Sequence, residues 1–141
     1  MSILKKLCKK SQKPLAQNNR LNGLAYPISG LFYRTEKGYF YIRSNKRYKV
    51  YSERCFNSWN ADPIDTEFKN ISGIPYAGVL GFRDGTIIHN LADGKIYIVS
   101  DNKRLHIKTP NAFPDGWIES KKFIISESEL DLHTEGVAIS G

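Results

Sequence analysis

Tyr41-Ile42-Arg43-Ser44-Asn45-Lys46-Arg47 is answered later in the chain by Tyr97-Ile98-Val99-Ser100-Asp101-Asn102-Lys103-Arg104, and this echo decides the fold. It extends outward in order: Gly30 with Gly85, Gly38 with Gly94, Val50 with Ile107, Phe56 with Phe113, Trp59 with Trp117, and Gly78-Val79 with Gly136-Val137. The offset grows from 55 to 58 on the way, as a few one-residue insertions would make it. Self-similarity at a period of about 57 residues marks a duplicated supersecondary unit. A unit of that size buries only about 60 % of the surface its unfolded chain exposes. The two copies are therefore expected to pack on each other or on a partner.

Within each copy the pattern is mostly β. Residues 31–34 read as a strand, Glu36-Lys37-Gly38 as a hairpin turn, and 39–43 as the return strand. Ser44-Asn45-Lys46 turns again into a third strand over 47–51, and Ser52 is placed to N-cap a helix over 53–59. Residues 60–66 read as loop and 68–71 as a returning strand. The second copy repeats the plan with strands over 86–89, 95–100 and 104–107, the first two joined across Ala92-Asp93-Gly94. Thr109-Pro110 opens a short helix through Phe113 as N-cap and N1 proline. A strand over 123–125 and a capping box, Ser126-Glu127-Ser128-Glu129, follow. The end, 136–141, is suited to an edge strand. The expected fold is α+β, mostly β: two tandem repeats, each a short three-stranded meander plus a short helix, packed together. The repeats span 23–78 and 79–141.

Charge is distributed unevenly. The chain carries a net charge of +7, yet Lys5, Lys6, Lys9, Lys10, Lys13 and Arg20 lie within residues 1–22, where no acid is found. The basicity belongs to an N-terminal arm, 1–22, and the remainder is near neutral. Such an arm suits nucleic acid, an anionic surface or an acidic protein partner. Cys8 and Cys55 do not form a repeated pair, since Ala112 stands where Cys55 stands in the first copy, so a disulfide framework is not expected. Lys5-Lys6 interrupts the apolar start Ile3-Leu4 at once, so no signal peptide is expected. No run approaches the roughly 18 apolar residues of a membrane span, and no membrane association is expected.

Residues that carry chemistry have sufficient structural readings. His89, His106 and His133 sit in no motif with a nucleophile and lack metal-ligand spacing. They read as strand-surface residues. Asp93, Asp101 and Asp115 neighbour turn residues, where an Asp side chain bonds its own backbone. Glu127, Glu129 and Asp131 cluster at a helix start, where the dipole favours negative charge. Gly38, Gly85 and Gly94 read as turn residues with positive φ, not as a phosphate loop. No catalytic set, metal site or cofactor is expected.

The recurring Lys46-Arg47 and Lys103-Arg104 pairs are the most informative polar element. The structural reading is an arginine that packs along a tyrosine or bonds loop carbonyls. The functional one is a pair of grips for something anionic. Tyr33, Tyr39, Tyr41, Tyr48 and Tyr51 stand among Arg34, Arg43, Lys49 and Arg54, a mixture found in single-strand nucleic-acid surfaces and in protein interfaces alike. Phosphate binding needs local positive charge, which the near-neutral body does not supply.

The string Asp84-Gly85-Thr86-Ile87-Ile88, then Lys95-Ile96-Tyr97-Ile98-Val99, Asn102-Lys103-Arg104, Ile107, Phe113, Trp117 and Ser126-Glu127-Ser128-Glu129-Leu130 resembles a small module of bacterial surface proteins. It is also similar to small virion structural proteins of tailed bacteriophages, T4-like ones included. The pattern there is a DGTL opening, a vYlI strand, a gKkR turn and an I-S-P helix start. This chain departs from it with Lys108-Thr109-Pro110 at the helix start, and in its first copy with Ser29-Gly30-Leu31 and no proline. The resemblance covers roughly residues 24–141 and implies a non-enzymatic building or docking module without catalytic residues.

The function expected from these readings is a virion structural or assembly protein of head, neck or tail. It would be made in the host cytoplasm and present in multiple copies among other virion structural proteins. Lys5, Lys6, Lys9 and Lys10 are the candidates for the arm's contact. Tyr41, Arg47, Tyr97 and Arg104 are the candidates in the repeated element, structural or interfacial. The alternative is a small nucleic-acid-binding protein using the arm and the Tyr/Arg-rich strands. A glycan binder, resting on exposed aromatics alone, is a third class.

Overall fold

The computed structural model describes residues 28–140, so the arm 1–22 and its four lysine candidates lie outside the described residues. The described chain is α+β and mostly β, with two five-stranded sheets and a few short helices. It divides into two compact units: residues 28–50 with Ala61–Leu80, and Tyr51–Asn60 with residues 81–140. The stretch 51–60, which the sequence reading assigns to the first repeat, thus groups with the second unit.

In the first unit, β1 (Leu31–Thr35), β2 (Gly38–Arg43) and β3 (Lys46–Val50) form an antiparallel meander. Two later strands flank it, β4 (Ile64–Asp65) parallel to β1 and β5 (Tyr76–Leu80) parallel to β3. Strand alternation sends Leu31, Tyr33, Phe40 and Ile42 to one face, where Tyr33, Phe40, Ile42, Ile71 and Ile74 form a core. The β2–β3 turn has φ of 52° at Ser44 and 60° at Asn45, the backbone of a type I′ hairpin. Residues 68–71 are not the strand the sequence suggests. Phe68–Asn70 is a 3-10 turn whose first N–H is accepted by Glu36 Oε1 at 3.0 Å, and local bonds from Asn70 to Glu67 and Ile71 to Phe68 swing Ile71 into the core. β4 falls where loop was expected, and β5 in a stretch to which the sequence assigns no element, because a two-residue strand and a Gly-interrupted one leave little alternation to read.

The second unit begins with α1 (Glu53–Ser58), capped by Ser52, whose hydroxyl accepts from Cys55 N–H at 3.2 Å. Its meander is β6 (Ile87–Asn90), β7 (Lys95–Ser100) and β8 (Lys103–His106). After α2 (Trp117–Lys121), β9 (Phe123–Ile125) runs parallel to β6; after α3 (Glu127–Leu130), β10 (Thr134–Glu135) runs parallel to β8. The capping box at Ser126 and Glu129 forms in full. Pro110 does open a 3-10 turn, Pro110–Ala112, but Thr109 makes no side-chain cap bond there. The helix α2 has no sequence signal beyond Gly116, which stands at its N-cap with φ 75°.

Strand pairing fixes which residues hold matching places in the two sheets. Ile42 lies opposite Arg47 and Val99 opposite Arg104, so Ile42 and Val99 correspond, and Phe40 corresponds to Tyr97. The alignment of Tyr41 with Tyr97 is therefore one residue out of step. The physical reason is the two-residue period of a strand, in which a slip of one moves every side chain to the other face. Phe40 and Tyr97 are both buried, at 4 % and 3 % exposure, while Tyr41 is on the opposite face. The β7–β8 turn repeats the positive φ pair, 51° at Asp101 and 64° at Asn102.

Candidate interaction surfaces

The recurring arginines face inward. Arg47 donates from Nε to the Ile74 carbonyl at 3.2 Å, and its guanidinium lies 5.1 to 5.6 Å from the ring centres of Phe40, Phe68 and Tyr76. Arg104 donates to the carbonyls of Leu130, at 3.1 Å, and His133, and lies 5.6 Å over Tyr97. In each unit the arginine pins the loop that leads into the last strand of the sheet, beside a ring of the second strand. Charged donors to backbone carbonyls are strong hydrogen bonds, and the flanking rings keep water from competing for them. Lys46 and Lys103, the other halves of the pairs, are exposed. Of the four candidates in the repeated element, Arg47, Arg104 and Tyr97 are thus engaged within the fold. The Tyr97 hydroxyl donates to Asp93 at 3.2 Å.

Tyr41 belongs to a different surface. On the face of the first sheet opposite its core, Phe32, Tyr41 and Tyr48 form a row with centroid spacings of 4.7 and 6.4 Å, and Arg43 donates to the Tyr41 hydroxyl at 3.3 Å. Arg34 shares this face but is held by both carboxylate oxygens of Asp65, at 2.6 and 2.9 Å. In the second sheet the matching places hold Ile87, Ile98 and Leu105. There, Ile87, Ile96 and Ile98 pack with Ile107, Phe113, Trp117 and Ile118. One face is aromatic and basic, the other aliphatic and roofed by residues 110–121.

Two buried polar groups that the sequence reading placed on the surface or at a helix start instead knit the second unit together. Glu129 is 2 % exposed. Its carboxylate accepts from the Ser52 hydroxyl at 2.6 Å, Arg54 Nε at 3.0 Å and the Ser126 N–H at 2.9 Å. Burial opposes its ionisation, yet the hydrogen bonds from Ser52, Arg54 and Ser126 outweigh it and hold the carboxyl below its ordinary range. His133, expected on a strand surface, is fully buried. Its Nε2 accepts the Phe82 N–H at 3.0 Å, which leaves Nδ1 to donate to the Asn102 carbonyl at 3.0 Å. Burial lowers its pKa. A methyl at Gly81 would sit 2.6 Å from that Nε2, so the close approach requires glycine. The capping-box motif signalled Glu129's local bonds only; its partners from α1, 75 and 77 residues away, have no local signal.

A shallow cleft of about 280 Å³ opens where Asn57, Asn60, Arg83, Asp84 and Lys121 meet. Asp84 there accepts the Asn102 N–H at 3.0 Å and so serves the β7–β8 turn. Cys55 is fully buried, and burial pushes its thiol pKa up, which favours an inert thiol. Among the described residues no group of three or more His, Cys, Asp or Glu is arranged to hold a metal ion, and no helix is long and apolar enough to cross a membrane. Comparison with protein-family models, with curated proteins and with solved structures finds no match to this chain.

Proposed function

We propose that the chain is a non-enzymatic virion structural or assembly protein, a head, neck or tail component. In this reading two tandem copies of one meander-plus-helix module dock on neighbouring virion proteins, and the basic arm engages an adjoining subunit. The observation that supports it most is the inward use of the repeated polar element. Arg47 and Arg104 hold loop carbonyls in both units, so the residues the chain repeats most faithfully serve the frame itself. A chain whose repeated residues maintain shape fits a building element. The test is mass spectrometry of purified phage particles and of the infected-cell lysate. A fixed copy number in intact particles is expected, with loss from particles, but retained circular dichroism, when residues 1–22 are deleted. Recovery from the soluble lysate alone would sink the proposal.

A second reading, a nucleic-acid-binding protein, is favoured by the aromatic and basic face carrying Arg43, Tyr41 and Tyr48. It requires binding that weakens steeply with salt and on charge reversal at Arg43. Salt-insensitive binding counts against it.

A further inference from the structure

The described sheets have four outer edges, and three are blunted by brevity and flanking charge, two of the ways proteins use against stray strand pairing. The β4 edge is two residues long and carries the Arg34–Asp65 ion pair. The β10 edge is also two residues long and ends in Glu135, 4.0 Å from Arg104. The three-residue β9 edge lies between Lys121-Lys122 and the capped start of α3 at Glu127. The β5 edge differs. It has five residues, and from Pro75 to Phe82 there is no charged side chain. Tyr76 is 56 % and Val79 50 % exposed. A bulge at Ala77, opposite the Arg47/Tyr48 step of β3, breaks the edge there and confines its regular part to Gly78, Val79 and Leu80, in register beside Tyr48, Lys49 and Val50. It is therefore the absence of charge rather than length that sets this edge apart.

We propose that the outer edge of β5 is a self-association site, at which a second copy of the chain adds its own β5 antiparallel, so that one sheet runs through both molecules. A two-fold axis brings the same strand to itself, so each partner must complement its own sequence. An uncharged strand satisfies that condition without like-charge repulsion across the pair, whereas the Glu135 edge does not. Main-chain hydrogen bonds hold the pair together, and Tyr76 and Val79 add side-chain contact. The chain's own arm is the poorer occupant: six cations without an acid complement neither an uncharged strand nor the neighbouring Arg47 and Lys49. The inference goes beyond the virion reading and stands without it.

The experiment is sedimentation velocity on the full chain over a hundredfold range of concentration, with amide hydrogen exchange read at both ends of the range. A monomer–dimer equilibrium is expected, with exchange at 78–80 slowing as dimer forms. Val79→Lys should shift the dissociation constant at least tenfold toward monomer, with unchanged circular dichroism. Ile124→Lys, on the exposed part of β9, should leave it unchanged. A monomer at every concentration overturns the proposal. So does a dimer indifferent to Val79→Lys, or protection at 78–80 that is already complete in the monomer, as pairing with the chain's own arm would give.

Discussion

The two sheets have the same strand order and different contents. Each is a meander with a later strand parallel to its first member and another parallel to its third. Counting along the parallel strands, Ile71 matches Leu130, Ile74 matches His133 and Asn70 matches Glu129. The first unit fills these places with two core isoleucines and an exposed asparagine; the second fills them with a leucine, a buried histidine and a buried carboxylate. The frame therefore specifies volume and where backbone groups must be held, and leaves the chemistry of the filling free. What a polar filling requires is complete satisfaction. His133 uses both ring nitrogens, and Glu129 accepts from three other residues.

Breaking the shared frame should have the largest effect. Ile71→Ala and Leu130→Ala remove matching core side chains, and each is expected to lose about 2–5 kcal/mol of stability by denaturant unfolding. If Leu130→Ala were nearly neutral, the two places would not do the same mechanical work. The filling separates the units more sharply. Glu129→Ala strands the Ser52 hydroxyl and the Ser126 N–H and should cost about 1–3 kcal/mol. The half-exposed Arg54 can return to water, which keeps the figure from rising further. Asn70→Ala, at the matching place, should stay within about 0.5 kcal/mol. Equal losses at the two positions would refute the assignment of the buried carboxylate to the second unit's stability.

Mild acid should act on the second unit before the first, whose Glu36 carboxyl is held below its ordinary range by the Phe68 N–H and responds only at lower pH. His133 has a lowered pKa when folded, so the unfolded chain takes up its proton first, and the stability it contributes is lost as pH falls below about 6.5. Glu129 is also depressed, so its contribution disappears at lower pH, from about 4.3 downward. Amide protection factors, taken relative to the intrinsic exchange rate at each pH between 7 and 5, should therefore fall around Phe82 and Asn102, which bond the His133 ring, before they change in the Ile42–Ile74 core. A uniform fall in protection in both units would leave no special part for His133.

Much of this chain can be read locally. The meanders, the Ser52 cap, the Ser126–Glu129 box and the glycines with positive φ at 38, 85 and 94 follow from alternation, turn chemistry and capping, all of which act within a few residues. The echo of Tyr41 in Tyr97 misled because both sit before a β-branched residue, and only cross-strand pairing shows which of two neighbours faces the core. The candidate surfaces were legible in part. The Lys-Arg pairs announced themselves by repetition, but repetition does not say whether a guanidinium points out or in.

The amino-acid sequence alone determined the mostly β class and the concentration of positive charge in residues 1–22 of an otherwise near-neutral chain. These rest on periodicity, turn residues and charge, which each segment carries by itself. Only the tertiary structure decided that 51–60 joins the second unit, that Arg47 and Arg104 hold carbonyls, that His133 and Glu129 are buried, and that β5 is the edge left without charge. Each of those depends on residues brought together from 26 to 77 positions apart, where no local rule reaches.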